Sequence, residues 1–251
     1  MQEPFPLTVE EQRDLADQAA ANQFFELVSL TPEPLRIRVS RTVEVDFSVH
    51  AGPVEKLEDI DIIVSPENDY MQMAHFFRPS ISGRLRRAAA EKSGAGEITS
   101  DIVHDELNLW LREFGKYGLP VPPGTVAPTS AGTLAAQGIK RIYHAAIASP
   151  RVGERDYYVH PNAVSNVVHE VFSLARKERK SGALGSLCFP LLGAGSGGLD
   201  PKISFERIWR ALVVELRADP AWSIHFIEWR SEHANMLVAS LEEKRAQGLG
   251  G

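Results

Sequence analysis

The chain has 251 residues, of which 43% are hydrophobic and 24% charged, and its formal net charge at pH 7 is −6. This composition excludes a wholly disordered chain, and the negative charge argues against general binding to nucleic acid. A single cysteine, Cys188, excludes an internal disulfide and a Cys-x-x-Cys zinc site. Neither a metal nor another cofactor is predicted. With no apolar stretch of about 18 residues and no leader-like N-terminus, the sequence predicts a cytoplasmic protein without a membrane partner.

Hydrophobic spacing divides the chain into three regions. Residues 1–34 are predicted to form a helical extension, with a helix from Leu7 to Leu30 that has Thr8 as its N-cap. Residues 35–246 are predicted to form the main domain, and residues 247–251 a flexible tail.

Within the main domain, alternating or continuous apolar runs predict strands, and apolar residues at helical spacing predict helices. The predicted strands are 35–39, 43–47, 60–64, 124–127, 141–146, 186–189 and 224–227. The predicted helices are 81–92, 100–114, 161–179, 204–217 and 234–245. This alternation predicts an α/β fold in which a mixed, mainly parallel central sheet lies between two layers of helices.

A glycine-rich segment, Leu192-Gly-Ala-Gly-Ser-Gly-Gly-Leu-Asp200, separates one predicted strand from the next helix. Glycine has no Cβ, so backbone N–H groups in such a loop can approach a ligand closely. The following helix adds its unpaired N-terminal donors and the positive end of its dipole. A plain turn is the alternative. The segment predicts a phosphate-binding loop formed by Gly193, Ala194, Gly195, Ser196, Gly197 and Gly198.

Three ordered segments resemble the macro domain family, whose members bind ADP-ribose. The first, Ile60-Asp-Ile-Ile-Val-Ser-Pro-Glu-Asn68, is similar to a buried family strand that ends in Asn-Ala-Ala-Asn, of which only the last asparagine is retained. The second runs from Gly124 to Ala146 and matches the family pattern at Thr129, Leu134 and His144. The third is the glycine-rich loop, which most resembles that of the DNA ADP-ribosyl glycohydrolase antitoxins.

This resemblance implies a three-layer α/β/α macro-like fold and a site for ADP-ribose or an ADP-ribosylated macromolecule. It implies that the glycine-rich loop holds the diphosphate and that Ser82, His144 and Trp229 also bind the ligand, the last beside adenine. It further implies catalytic roles for Asn68, next to the distal ribose, and for Asp200 as a general base. Each of three residues has an alternative role: Asn68 as a turn asparagine, Trp229 as a core tryptophan and Asp200 as a helix N-cap.

The sequence also departs from the family pattern. The family's first phosphate loop is glycine-rich, whereas residues 70–81 contain no glycine. Ser82 replaces an acid found in many hydrolytic members, and Pro53 replaces an aspartate that reads the adenine amino group. His75 and Arg78 in the altered loop are candidates for contact with a modified or extended ligand, a solvated loop being the alternative. These departures favour binding over efficient hydrolysis.

Two other functions fit parts of the sequence. The glycine-rich segment also matches Gly-x-Gly-x-x-Gly, the pattern of a NAD-dependent oxidoreductase. Glu228, however, stands further along the chain than the roughly 20 positions at which a Rossmann unit has its acidic residue. The third possibility is a degenerate macro-like module that acts through protein interactions.

Overall fold

The computed structural model describes residues 26–150, 157–180 and 182–247. The strands in these ranges are β1 (Val28–Ser29), β2 (Leu35–Arg38), β3 (Glu44–Ala51), β4 (Ile62–Asn68), β5 (Glu91–Lys92), β6 (Ile98–Ser100), β7 (Val126–Ser130), β8 (Arg141–Pro150), β9 (Tyr157–Val159), β10 (Ser186–Phe189) and β11 (Ser223–Glu228). The α-helices are α1 (Ile81–Ala89), α2 (Ile102–Glu113), α3 (Pro161–Arg179), α4 (Pro201–Ala218) and α5 (Ser231–Gln247). None of these helices is both long and apolar enough to cross a bilayer.

The central strands of the larger sheet run parallel in the order β3, β11, β10, β4 and β8. Antiparallel strands flank them, with β1 and β2 on β3, and β7 and β9 on β8. The carboxyl ends of the five parallel strands therefore lie together at one end of the sheet, which we call its carboxyl edge. This topology confirms the predicted α/β fold with a mixed, mainly parallel central sheet.

Helices cover both faces of the sheet because successive side chains on each strand point to opposite faces. The first face packs against α3, α4 and α5, and the second against α1 and α2. Along β4, Ile62 and Val64 belong to the first core, whereas Ile63 belongs to the second. Ser65 and Glu67 follow Ile63 at alternate positions of β4, so their polar side chains extend toward the same face, which α1 covers.

Several predicted bounds agree with the structure, and others shift where distant residues pair. Helix α3 and strand β10 have the predicted bounds. The helix predicted over 81–92 ends at Ala89 because Glu91–Lys92 pair with β6. Gln247, which is predicted to begin the tail, is instead the last residue of α5.

The helix predicted up to Leu30 is wrong at its C-terminal end. Val28–Ser29 form β1 and pair with Ala51 and His50 of β3. Thr31 Oγ1 also accepts a hydrogen bond from Val49 N at 2.9 Å, which holds this segment against the sheet. The rest of the predicted helix and residues 248–251 of the tail lie outside the described residues, so the division into three regions stays a prediction.

Candidate ligand-binding site

The glycine-rich loop leaves the carboxyl end of β10 and leads into α4. Strand β10 is hydrogen-bonded to β4, and the loop of residues 70–81 follows β4 at the same edge. Ligands of open α/β sheets bind at this carboxyl edge, where loops from neighbouring strands meet. The fold therefore brings together the glycine-rich loop and the segment that begins at Asn68, although more than a hundred residues separate them in sequence.

Two side chains hold the beginning of the glycine-rich loop. The Glu228 side chain at the end of β11 is buried, and its Oε1 accepts a hydrogen bond from Leu191 N at 2.9 Å. Ser204 in α4 donates its hydroxyl proton to Leu192 O at 2.8 Å. Strand β11 and helix α4 therefore both hold the residues that lead into the loop.

Glycine is required at two positions where the loop touches β9. Gly193 has φ +80°, and a Cβ there would lie 2.7 Å from Cγ1 of Val159. A Cβ at Gly197 would overlap the same valine side chain. At Gly195, in contrast, a Cβ would meet no heavy atom of the described residues within 4 Å. The loop is thus packed tightly against Val159 on one side and open on the other.

The open side of the loop presents unused backbone donors. Ala194 N and Gly198 N donate to Leu191 O and Gly195 O at 3.1 and 3.0 Å. The N–H groups of Gly195, Ser196 and Gly197 have no hydrogen-bond partner in the part of the chain that the structure describes. Consecutive free N–H groups before a helix N-terminus form a concavity that binds anions. This arrangement can bind a phosphate group.

Asp200 is the N-cap of α4. Its Oδ1 accepts hydrogen bonds from Lys202 N at 2.8 Å and Ile203 N at 3.1 Å. The residue is exposed to solvent at the end of the glycine-rich loop. The capping role therefore agrees with the alternative stated for this residue, and its role as a general base stays a prediction.

Asn68 organises its own loop. Its Oδ1 accepts hydrogen bonds from Tyr70 N at 3.0 Å and from Gln72 N at 3.1 Å. Since the amide oxygen is used by the backbone that follows, the geometry agrees with a turn asparagine. It gives no support to the catalytic role predicted for this residue.

A buried network is centred on Glu67, the residue that precedes Asn68. The Glu67 side chain is 1% exposed, and its Oε1 accepts from Ser65 Oγ at 2.7 Å and lies 3.1 Å from His144 Nδ1. Its Oε2 accepts a hydrogen bond from Ser82 Oγ at 2.7 Å. On the far side, His144 Nε2 lies 3.0 Å from Thr129 Oγ1. A buried carboxyl group needs such partners because burial removes its hydration.

This network corrects two predicted ligand contacts. His144 is fully buried and both of its ring nitrogens face protein groups, so it does not line the site. Ser82 is buried as well, donates to Glu67 and accepts a hydrogen bond from Ala74 N at 2.9 Å. The network is not a nucleophilic triad, because the serine bonds to the carboxyl group and not to the imidazole.

Glu67, which is buried beneath the candidate site, is the network residue that sequence reasoning missed. Its signal was an acidic residue inside a buried apolar strand, since glutamate is almost never fully buried unless it is paired. Its partners are Ser65 on the same strand, His144 on β8 and Ser82 in α1. Nothing in the local sequence indicated that these elements would meet at this carboxyl group.

The backbone of the loop of residues 70–81 is hydrogen-bonded to neighbouring protein groups. Met71 N donates to Asn68 O at 2.9 Å, and Arg78 N donates to His75 O at 2.9 Å. The side chains of Met71 and Met73 are buried in the second core. Much of the backbone that a glycine-rich loop would offer to a phosphate is therefore bonded within the protein.

Trp229 follows β11 at the same edge and is half-buried. The Arg230 guanidinium carbon lies 4.8 Å from the centroid of a ring of Trp229. The contact with adenine predicted for this residue stays a prediction.

A cavity of about 410 Å³ lies beside this edge, between the end of β8 and the beginning of α3. Its lining includes Ile147, Ser149, Tyr158, His160 and Asn166. These residues had no recognisable motif in the sequence. Across the described ranges, no group of three or more His, Cys, Asp or Glu side chains could hold a metal ion.

The fold does not support the NAD-dependent alternative. In a Rossmann fold the glycine-rich turn follows the first strand of the unit, whereas here it follows the fourth parallel strand along the chain. The carboxyl group of Glu228 binds Leu191 N, so it is engaged in holding the loop.

The sheet order, the helical layers and the loops at the carboxyl edge define a macrodomain fold. The structure is similar to the Oceanobacillus iheyensis macrodomain solved with ADP, with a TM-score of 0.62 and 13% identity, covering 87% of this chain and 97% of that one. It is also similar to the Trypanosoma brucei macrodomain in complex with ADP-ribose, with a TM-score of 0.56 and 16% identity, covering 94% and 91% of the two chains. Identities this low show the fold alone.

By sequence, the chain is 25% identical over 198 residues to an uncharacterized protein of Sulfurisphaera tokodaii, a match that covers 79% of this chain and 85% of that protein. No family model matches the sequence. The resemblance of the glycine-rich loop to the antitoxin branch therefore stays a prediction.

Proposed function

We propose that this chain binds ADP-ribose, or a derivative that carries an ADP-ribosyl group, with the diphosphate on the glycine-rich loop. The observation that carries this proposal is that the N–H groups of Gly195, Ser196 and Gly197, directly before the N-terminus of α4, have no partner among the described residues. The fold supports it, because similar macrodomain structures contain ADP or ADP-ribose.

The loop is suited to bind an anion without rearrangement. Glu228 and Ser204 hold its first residues, so little conformational freedom is lost when a ligand binds. The 18 residues of α4 direct the positive end of a helix dipole toward the loop. The Ser196 hydroxyl adds a further donor beside the backbone N–H groups.

The glycine-rich loop carries most of the contact with the diphosphate in this proposal. In the loop of residues 70–81, the N–H groups of Tyr70, Gln72 and Ala74 already donate hydrogen bonds to side-chain oxygens of the protein. Trp229 is proposed to contact adenine, and Asn68 to lie near the distal ribose through its position at the end of β4. Pro53 offers no carboxylate for the adenine amino group, so the adenine contact is apolar.

Calorimetric titration with ADP-ribose tests this proposal, with Gly195→Ala as the informative variant. A Cβ at Gly195 would meet no heavy atom of the described residues within 4 Å, so we expect folding to be unaffected, while the methyl group adds bulk beside the proposed phosphate site. We expect the Kd of Gly195→Ala to rise about tenfold, equivalent to about 1.4 kcal/mol. Gly94→Ala is the matched control, because a Cβ there is equally unhindered and lies in the turn between β5 and β6. Absence of binding to the unmodified protein at millimolar ADP-ribose would refute the proposal.

Hydrolysis of an ADP-ribosyl linkage is a second candidate, favoured by the exposed carboxyl group of Asp200 at the end of the loop. As a general base this group would accept a proton from water or from a ribose hydroxyl. Release of ADP-ribose from a modified protein or nucleic acid is the measurement that tests it.

A further inference from the structure

We propose that residues 70–81 form a fixed aromatic subsite for a planar ring attached to the distal ribose of the ligand, with Phe77 and His75 as its contacts. The ligand class is then an ADP-ribosyl group that carries a heteroaromatic base. This inference rests on the proposed function, and it assigns to the loop a role different from that of a phosphate loop.

The position of the loop follows from the sheet. Strands β4 and β10 are parallel neighbours, with Ile62 paired to Leu187 and Ile63 paired to Cys188. Their following loops leave the same edge side by side. A ligand whose diphosphate lies on the glycine-rich loop can therefore extend its distal end toward residues 70–81.

The tip of the loop rests directly on the first turn of α1. A Cβ at Gly83 would lie 2.6 Å from Arg78 O and 2.7 Å from His75 O, so the turn and the helix are in close contact. Beneath the turn, the Arg86 guanidinium carbon lies 4.4 Å from the centroid of the Phe76 ring. The backbone on both sides of Phe77 is therefore in contact with α1.

Side chains of α1 also fix the beginning of the loop. Ser82 Oγ accepts from Ala74 N and donates to the buried carboxyl group of Glu67. Arg86 reaches Ala74 O at 3.4 Å and forms an ion pair with Asp101 at 2.6 Å, with both side chains largely buried. These contacts hold the beginning of the loop against α1.

The aromatic side chains of His75 and Phe77 are exposed in this loop, as are the side chains of Gln72 and Arg78. Phe77 is 78% exposed, more than any other large hydrophobic residue in the described ranges. The His75 ring lies 5.7 Å from that of Phe77, with 34° between their planes. Aromatic side chains bind bases by stacking, whichever base is present, because every base has a π-face. Because its backbone is held against α1, the loop is expected to lose little freedom on doing so.

Titration of the whole chain with three probes tests the inference. ADP-ribose has no ring on its distal ribose, NAD⁺ carries a cationic nicotinamide there, and diadenosine diphosphate carries a neutral adenine. We expect both ring-bearing probes to bind about tenfold more tightly than ADP-ribose, the smaller end of measured base stacking. Phe77→Ala should remove this preference without changing the affinity for ADP-ribose, and Phe77→Tyr should retain it. Phe114→Ala, which removes a 53% exposed aromatic ring after α2, is the control and should change none of the affinities.

The outcomes separate this inference from the proposed function. Equal affinity for the three probes overturns the subsite and leaves ADP-ribose binding intact. A preference for NAD⁺ alone indicates attraction of its positive charge and also overturns the subsite. If Phe77→Ala weakens the binding of all three probes equally, the subsite is also overturned. If the unmodified protein binds no probe, the proposed function fails and the subsite fails with it.

Discussion

Glu67 Oε1 lies 3.1 Å from His144 Nδ1, and neither side chain reaches solvent. The two residues belong to adjacent parallel strands, β4 and β8, beneath the edge where the candidate site lies. Through Ser82 the same carboxyl group is connected to the backbone of Ala74 in the loop above. A polar cluster inside the second core thus supports the loop next to the ligand site.

The Glu67 network is predicted to stabilise the fold. Glu67→Ala leaves the hydroxyl groups of Ser65 and Ser82 and the imidazole of His144 without their acceptor in a dry environment. We expect the free energy of unfolding to fall by about 3–5 kcal/mol, the range for loss of one member of a buried pair. Urea denaturation measures this change. Glu58→Ala, at an exposed position, is the control, with an expected change within about 0.5 kcal/mol. A loss below about 1 kcal/mol for Glu67→Ala would contradict the prediction.

Ser82 is predicted to fix the loop locally, whereas Thr129 is not. Each residue contributes one hydroxyl group to the network, but only Ser82 also accepts from Ala74 N. Hydrogen exchange of the Ala74 amide should accelerate about fivefold in Ser82→Ala, corresponding to loss of one ordinary hydrogen bond. Thr129→Val removes the hydroxyl at the opposite end of the network and should leave this rate unchanged. Equal rates in the two variants would show that Ser82 has no local effect.

Gly193 is predicted to be required for stability, and Gly195 is not. Alanine at Gly193 must adopt φ +80° and its Cβ meets Val159, so we expect a loss of about 2 kcal/mol in Gly193→Ala. Gly195→Ala meets no neighbouring atom and should change stability by less than about 0.5 kcal/mol. Thermal and urea unfolding of the two variants compare them directly. Similar stabilities would mean that the contact with Val159 does not constrain the loop.

Two substitutions of Asp200 are predicted to distinguish its role as a helix N-cap from a role in catalysis. Asparagine caps helices as well as aspartate, so Asp200→Asn should retain stability, whereas Asp200→Ala should lose about 1 kcal/mol. If Asp200 is a general base, both variants lose release of ADP-ribose from a modified substrate. An active Asp200→Asn would show that this residue only caps α4.

The stability of the protein is predicted to depend on pH through two histidines. His50 Nε2 lies 3.0 Å from His225 Nδ1, and burial lowers the pKa of both, that of His225 to about 4 with a further contribution from the nearby His50. Between pH about 6.5 and about 4 the unfolded chain binds protons that the folded protein does not, so the free energy of unfolding decreases as pH falls. His225→Gln should reduce this decrease by about 3 kcal/mol, measured by urea unfolding across that range. An unchanged pH profile in the variant would contradict the prediction.

Local periodicity was sufficient to predict most of the fold. The amphipathic spacing of 161–179 and the apolar run 186–189 have the same bounds in sequence and structure, because each depends on residues within its own segment. The N-terminal end of the sheet was not predictable in this way. Val28–Ser29 form a strand only because β3 offers an unpaired edge, and that edge is distant in sequence.

The sequence by itself determined the α/β fold and placed a glycine-rich loop between a buried strand and a helix, because strand and helix periods and the conformations open to glycine are local properties. Only the tertiary structure decided which polar residues face a ligand and which face one another. His144 and Ser82 bind Glu67 inside the protein, although 77 and 15 residues separate them from it. The requirement that a buried carboxyl group be paired was satisfied by partners that the fold, and not the neighbouring sequence, brings to it.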